Sequence, residues 1–293
     1  MHIKDIYKKK PVISLEIFPP KPENPIDTIF RTIEELKDLD PDFISVTYGA
    51  GGSSKAHTVQ IANAIKNTYN IEALAHLTCI SSTSGEIDDI LDRLKADNVQ
   101  NILALRGDYP TDSGFTAPEQ PCYRYARDLV AHIKAKGDFC IGAACYPEGH
   151  IECGNALQDL RNLKEKVDQG VDFLITQLFF DNELFYGFKE KLDILGVNIP
   201  ISVGVMPVIN KKQIERITKL CGATLTPRFR RILEKYEHDP EALKQAGIAY
   251  ATEQIIDLIS YGIDGIHLYT MNRPEIARKI IMDISSIRSF FNK

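Results

Sequence analysis

The sequence predicts an α/β protein of the (β/α)8, or TIM, barrel class, and three observations carry that prediction. Apolar runs of strand length alternate with stretches of helical period from end to end. Eight strand-and-helix units can be read, and such alternation means parallel strands joined by right-handed crossovers. The length of 293 residues is near the ~250 usual for such a barrel, with room for one insertion. An open doubly wound sheet is the alternative that the same alternation allows. No linker or low-complexity tract divides the chain, so residues 1–293 are expected to form a single domain.

The first strand is expected at 12–18. Successive strand side chains face opposite ways, so Ile13, Leu15 and Ile17 share one face and Ser14, Glu16 and Phe18 the other. Glu16 then lies near the C-terminal end of the strand, just before Pro19-Pro20, pointing away from the aliphatic face. Taken alone it reads as an edge-strand acid in water. The next helix has Pro25 just inside its start and Ile26, Ile29, Ile33 and Leu36 at helical spacing. Further strands are expected at 43–48, 72–78, 101–106, 139–145, 173–179, 200–206 and 265–270. Ile87, Ile90, Leu91 and Leu94 mark one helix between them, and Leu157, Leu160, Leu163 and Val167 another. Gly170 and Gly262 fall where helices should stop. The long connection near 207–262 is expected to insert extra helices, at Lys211 to Leu220, at Arg228 to Tyr236, and through Glu253, Ile256 and Ile259.

Composition narrows the function. With 44% hydrophobic and 26% charged residues the chain has an ordinary soluble make-up, and no window approaches the roughly 18 apolar residues of a membrane span. Met1 to Lys10 is basic but has no apolar stretch or small-residue cleavage site, which points to the cytoplasm. A formal charge of −5 argues against a nucleic-acid surface while leaving room for a local basic pocket and a small anionic ligand. The six cysteines, Cys79, Cys122, Cys140, Cys145, Cys153 and Cys221, contain no C-x-x-C pair and suggest free thiols. Cys145, His150 and Cys153 match no standard zinc spacing, so no metal is expected.

In a barrel the chemistry gathers at the C-terminal ends of the strands. Those ends read Glu16-Ile-Phe-Pro-Pro, Thr47-Tyr-Gly, His76-Leu-Thr-Cys, Arg106-Gly-Asp108, Tyr146-Pro-Glu-Gly-His150, Thr176-Gln177, Met206-Pro and Tyr269-Thr-Met-Asn-Arg273. Strands surfacing into loops give polar ends too, but so many at one rim favour an enzyme. Glu16 and Asp108 are expected to converge on one mouth, where environment separates the roles of paired carboxylates. Desolvation beside Ile17 and Phe18 would raise Glu16 toward the range a general acid needs. The Gly49-Ala-Gly-Gly-Ser-Ser54 loop lacks G-x-G-x-x-G spacing and reads as a turn before a helix, able to admit a stacked ligand. In Leu105-Arg-Gly-Asp108 the glycine lets the backbone approach a ligand closely.

With these residues in view, the chain resembles the methylenetetrahydrofolate reductases, flavin enzymes of one-carbon metabolism and methionine biosynthesis. The likeness runs from Ser14-Leu-Glu-Ile-Phe-Pro-Pro20 through Ser45-Val-Thr-Tyr-Gly49, Ala75-His-Leu-Thr-Cys79, Ala104-Leu-Arg-Gly-Asp108, Ala144 to His150, Ile175-Thr-Gln177 and Tyr269 to Arg273. The resemblance implies a (β/α)8 barrel with FAD at its C-terminal rim, commonly as a homo-oligomer. It implies ping-pong hydride transfer, in which NADH or NADPH reduces the flavin and 5,10-methylenetetrahydrofolate then takes the hydride to give 5-methyltetrahydrofolate. The methylene bridge must open to an iminium first, so a proton has to reach the departing nitrogen, and Glu16 matches the family's proton donor. Asp108 matches the aspartate between flavin and pterin. Gln177, Gln213, Tyr269 and Arg273 match folate contacts. Thr47, Tyr48, His76, Arg106, Gly107, Tyr125, Tyr146, His150, Asp159, Asn162 and Lys166 match the surroundings of FAD. Without the resemblance, Asp159, Asn162 and Lys166 would read equally well as a solvated helix face, and Tyr125 as packing.

Two positions depart from the best-known bacterial pattern. Ile217 stands where an aromatic stacks on nicotinamide or folate, and Glu165 where a basic residue lies beside the FAD phosphates. Ile217 supports a second reading, a flavin-bearing subunit fed by an electron-transfer partner protein. A folate-binding protein without catalysis is a third, disfavoured by the presence of both Glu16 and Asp108. No appended regulatory domain is expected after Lys293.

Overall fold

The computed structural model describes residues 1–21, 23–48, 52–108 and 122–291, the side chains of 52–56, 290 and 291 excepted. The strands β1 (Val12–Ile17), β2 (Phe43–Val46), β3 (Glu72–Thr78), β4 (Asn101–Leu105), β5 (Cys140–Cys145), β6 (Phe173–Thr176), β7 (Ile201–Val205) and β8 (Gly265–Tyr269) pair in chain order. All the pairings are parallel, and β1 closes the barrel against β8 as well as β2, with Ser14 opposite both Phe43 and His267. Closure rules out the open sheet. The strands fall within the expected segments, several ending one to three residues sooner.

The helices are α1 (Ile3–Tyr7), α2 (Asp27–Lys37), α3 (Gly52–Asn63), α4 (Ser84–Ala96), α5 (Ala126–Lys136), α6 (Ala156–Asp168), α7 (Asn182–Ile194), α8 (Lys211–Cys221), α9 (Pro227–Tyr236), α10 (Pro240–Tyr261), α11 (Pro274–Asp283) and α12 (Ser285–Phe291). A π-helical turn, Ala64–Thr68, prolongs α3. On β1 the aliphatic face, Ile13, Leu15 and Ile17, joins the buried stripe of α2, Ile29, Ile33 and Leu36, in the main core. Each such side chain contributes roughly 1.5–3 kcal/mol by leaving water. The other face of β1 therefore looks into the barrel. α6 differs from expectation at one end, since Leu157 is 54% exposed and only Leu163 of the periodic set is fully buried. Gly262 caps α10 in the left-handed conformation (φ 92°), as a glycine can without strain.

The N-terminal basic segment holds a plug that periodicity did not reveal. Ile3 and Ile6 of α1 pack with Phe43, Leu74, Leu103 and Phe173 at the base of the barrel, and Asn101 Oδ1 accepts the Ile3 N–H at 2.8 Å. This closes the floor, so the interior opens only toward the C-terminal rim.

The insertion between β7 and β8 forms the three helices expected, the last beginning earlier, at Pro240 behind the N-cap Asp239. Ile214 of α8, with Phe229 and Leu233 of α9, packs on Leu178, Phe180, Met206 and Val208, residues that follow β6 and β7. α8 and α9 thus cap one side of the rim, while α10 packs against α7, α11 and β7 as the outer ring helix. A Cβ at Gly247 would lie 1.7 Å from the Val208 carbonyl oxygen, so only glycine lets α10 come this close. Of the glycine-rich stretch after β2, residues 49–51 lie outside the described residues, and Gly52, Ser53 and Ser54 already belong to α3.

Candidate active site

The inward face of β1 carries Ser14 and Glu16 into the barrel. Glu16 is 18% exposed, and one of its carboxylate oxygens is ringed by three strands. Oε2 lies 3.3 Å from His267 Nε2 on β8, 3.5 Å from His76 Nε2 on β3, and accepts from Ser45 Oγ on β2 at 3.5 Å. Behind it, His267 is fully buried and its Nδ1 meets Ser14 Oγ at 2.8 Å. Ser14 has one hydroxyl hydrogen, which the Ile266 carbonyl accepts at 3.1 Å. In that arrangement His267 donates Nδ1–H to Ser14 and turns its Nε2 toward Glu16 and Ser45.

The backbone at Glu16 is clamped as well. Thr270 Oγ1 donates to the Glu16 carbonyl at 2.6 Å. Asn272 Oδ1 accepts the Phe18 N–H at 3.0 Å while its Nδ2 donates to the Phe18 carbonyl at 2.9 Å. Met271 and Asn272 both hold φ of 54°, a strained choice for side-chain-bearing residues that this clamp sustains.

The expected upward shift of the Glu16 carboxyl pKa is corrected. Burial pushes it up, but the hydrogen bond to His267, the charges available on His76 and His267, and Ser45 outweigh that and hold the carboxyl below its ordinary range. The anticipated neighbours are absent because Ile17 turns to the outer core and Phe18 is 37% exposed. Burial drives His76 down to about 4, so its ring is neutral near pH 7. Tyr269 lies edge-on to His267 with ring centroids 5.3 Å apart, and its hydroxyl donates to the Thr176 carbonyl at 2.8 Å.

Beside this centre a cleft of about 490 Å³ runs between the ends of β4 and β5 and helices α5 and α6. Arg106, Tyr125, Tyr146, His150, Asp159, Asn162 and Lys166 line it, gathering seven of the expected cofactor residues. Lys166 Nζ donates to the Ala144 carbonyl at 2.7 Å, and burial holds its amine below the ordinary lysine range. It belongs to no ion pair among the described residues. Arg106 forms a two-toothed pair with Glu152, its Nη2 donating at 2.9 Å. Tyr125 lies at the mouth, with the Arg124 and Arg127 guanidiniums 5.4 and 5.1 Å from its ring centre. Glu165, the departure noted on α6, pairs with Arg127. A partly neutralised basic cleft with aromatic walls suits a diphosphate-bearing ligand.

The remaining expected residues are more dispersed. Asp108 is exposed, and its charge is felt by Arg106 and Tyr146 rather than by the cluster around Glu16. The groups recorded around the two carboxylates differ, Arg106 and Tyr146 near Asp108 and His76, His267 and Ser45 near Glu16. Gly107 (φ 81°) sits against Thr78, where a Cβ would approach to 2.8 Å. Thr47 lends its carbonyl to Thr58, and burial raises the Tyr48 hydroxyl. His76 and Thr47 lie outside the cleft lining, on the Glu16 side of the rim. Gln177 folds its Oε1 onto the Leu178 N–H at 2.9 Å. Gln213 lies in the first turn of α8, and Ile217 packs half-buried against the cap cluster. Arg273 begins the turn into α11, 55% exposed and 3.7 Å from Glu275.

His267, Ser14, Ser45, Glu152 and Arg127 were missed as site residues. A signal for three of them existed, since alternation sends Ser14, Ser45 and His267 to the inner face with Glu16. A larger depression of about 560 Å³ lies between α7, α9 and α10. Four of its charged groups are already engaged, Arg228 with Glu253, Asp257 with Asn182 and Tyr186, and Asp181 with the Glu183 N–H. It lacks the strand-end residues that define the rim. Among the described residues no group of three or more His, Cys, Asp or Glu could hold a metal, and no helix is long and apolar enough to cross a membrane.

Fold and site together define a TIM-barrel protein with a largely buried, histidine-flanked acid at its rim and a basic cleft beside it. The profile of the methylenetetrahydrofolate reductases matches residues 2–285, and the chain belongs to that family. It is 36% identical over 268 residues to 5,10-methylenetetrahydrofolate reductase of Escherichia coli, covering 92% of this chain and 88% of that one. It is 37% identical to a probable methylenetetrahydrofolate reductase (NADH) of rice, over 94% of this chain but 48% of the rice protein. The chain thus spans about half the length of the plant relatives it matches. Among solved structures, a Clostridium thermocellum protein described as binding two copies of 5-methyl-5,6,7,8-tetrahydrofolic acid superposes with a TM-score of 0.67 at 16% identity, covering 98% of both chains. A Coxiella burnetii dihydropteroate synthase in complex with pteroic acid gives 0.52 at 13% identity, covering 96% of this chain and 94% of that one. At such identities these two show the shared fold.

Proposed function

We propose that this chain, as one catalytic domain, reduces 5,10-methylenetetrahydrofolate to 5-methyltetrahydrofolate by ping-pong hydride transfer, with FAD as its cofactor and NADH or NADPH as donor. One observation carries the reading: Glu16 is held at the rim by one oxygen, Oε2, while Oε1 has no partner among the described residues. An acid anchored on one side and open on the other is built to deliver a proton. When bound, FAD supplies the hydride.

The chain's own residues do the rest. Lys166 and Arg106 offer charge to the cofactor's phosphates, and Tyr125, Tyr146 and His150 offer ring faces. Lys166 is a half-buried cation without an ion-pair partner among the described residues, which is why the cleft fits an anionic dinucleotide. Glu16 protonates the departing folate nitrogen, and His267, resting on Ser14, lies where it can restore that proton. Asp108, exposed at the end of β4, is read as the folate contact beside the cofactor. Gln177, Gln213, Tyr269 and Arg273 would hold the folate from the opposite side, Arg273 through its free guanidinium edge toward a carboxylate. The NADH in the printed names of plant relatives supports that donor. The reading extends to a cytoplasmic homo-oligomer.

Glu16→Gln tests it. The variant should retain flavin and its bleaching by NADH yet lose methylenetetrahydrofolate reduction by about a hundredfold or more; reduction at the parent rate would reject the assignment. Ile217 keeps the partner-fed subunit as a second reading, since an aliphatic group occupies the cap where a nicotinamide would need a stacking surface. Bleaching of the isolated chain by NADH would exclude it.

A further inference from the structure

His76 was expected to touch the cofactor, yet it lies outside the cleft lining and faces Glu16. It is only 6% exposed, and its Nε2 is one of the few buried polar side-chain atoms among the described residues with no hydrogen-bond partner. The 3.5 Å separation from Glu16 Oε2 is within ionic reach, but the angles do not make a hydrogen bond. An unpartnered buried nitrogen is costly to maintain, so its place beside a proton donor calls for a use.

We propose that His76 is a positioning residue for proton transfer, its Nε2 lone pair accepting a hydrogen bond from the protonated carboxyl of Glu16 and so favouring the acid form. The inference rests on the functional reading above and deepens it. Below about pH 4 the protonated ring favours the Glu16 carboxylate; above it burial keeps the ring neutral, so it offers Glu16 no cation there. A neutral imidazole carrying its hydrogen on Nδ1 presents a lone pair at Nε2, which a carboxylic acid satisfies and a carboxylate does not. Deprotonation of Glu16 leaves the nitrogen orphaned again, which penalises the ionised form. The other groups facing Glu16 are Ser45 on β2, and His267 and Tyr269 on β8. Ser45 can only donate to the carboxylate, and His267 meets the same oxygen through its Nε2. Above about pH 4, His76 is thus a counterweight to the hydrogen bonds from His267 and Ser45 that hold the Glu16 carboxyl below its ordinary range.

The experiment is the pH profile of folate reduction by the flavin-loaded chain, with the infrared carboxyl band of Glu16, identified as the band lost in Glu16→Gln, titrated in parallel. His76→Leu removes the acceptor. It should keep its flavin while the alkaline limb and the band's midpoint both move down by about one pH unit, a tenfold change in the acid's ionisation. His76→Gln, whose amide oxygen reaches the Nε2 position, should restore most of the shift and shows that the site tolerates substitution. An unmoved midpoint in a folded, flavin-bearing His76→Leu overturns the inference. So does loss of flavin without a shift, which would return His76 to the cofactor. If the parent chain itself reduces no folate, the functional reading fails, and the band still reports on His76 and Glu16 alone.

Discussion

Gly204→Ala is the most severe single-methyl change among the glycines of the barrel strands. A Cβ there would stand 2.5 Å from the Thr176 carbonyl oxygen and 2.7 and 2.8 Å from Cε2 and the hydroxyl of Tyr269. Ordinary contact needs about an ångström more, and the Thr176 carbonyl is backbone on a neighbouring strand. The register between β6 and β7 holds only Leu174 to Ile201 and Ile175 to Ser202, so this seam is where the barrel can part. Parting breaks the Tyr269 hydroxyl bond to Thr176 and the Gly204 N–H bond to Thr176 Oγ1 at 2.9 Å. Overpacking costs about 1–3 kcal/mol, and stranding the buried hydroxyl costs a similar amount. The expected loss is about 3–5 kcal/mol, a large share of a typical folding stability. The chain has no tryptophan, so urea unfolding followed by far-ultraviolet circular dichroism is the assay. Gly154→Ala, which meets nothing within 4 Å, is the control and should stay within about 0.5 kcal/mol of the parent. A Gly204→Ala protein equally close to the parent would refute the reasoning. Tyr269→Phe combined with Gly204→Ala should cost less than the two changes separately, because both lose the same hydrogen bond.

Three further outcomes are expected. Lys166→Met should weaken FAD binding about tenfold or more, read by fluorescence titration. Because the folded pKa of Lys166 is lowered, the charged amine disfavours folding below that value and the penalty fades as pH rises, so the variant should also lose part of the parent's stability gain between neutral and alkaline pH. Asn272→Ala removes both bonds to Phe18 and the residue type best suited to positive φ. It should destabilise by about 1–3 kcal/mol and lower kcat for folate while sparing flavin content. His76 titrates at about 4 when folded instead of 6.5, so the unfolded chain takes up that proton first as pH falls. Stability from this group is full above pH 6.5 and lost toward pH 4, by roughly 3 kcal/mol, and His76→Leu should flatten that part of the pH-stability curve.

Much of the barrel was legible because each unit repeats a local pattern. The apolar runs ending near Ile17, Thr78, Cys145 and Tyr269 needed only strand period to be found. The plug formed by Ile3 and Ile6 was not, since five residues carry too short a period and their burial depends on an open barrel floor. The cleft residues from Arg106 to Lys166 were legible through motifs, and α6 brings Asp159, Asn162 and Lys166 together because they share one helical face. The direction of Asp108 relative to Glu16 was not legible in the same way. That both end a strand at the same rim says nothing about which way a loop residue turns.

The sequence by itself determined the fold class, the rim that carries chemistry, and the inward aim of Glu16, because strand alternation and parallel connection leave few choices. The proton environment of Glu16 belongs to the tertiary structure alone. Ser14, Ser45, His76 and His267 come from four strands, up to 253 residues apart in sequence, and only closure of β1 on β8 sets them around one carboxylate. Burial there decides that His76 is neutral and that Glu16 has one oxygen held and one open. No local pattern encodes that balance, because it is a property of the enclosed space.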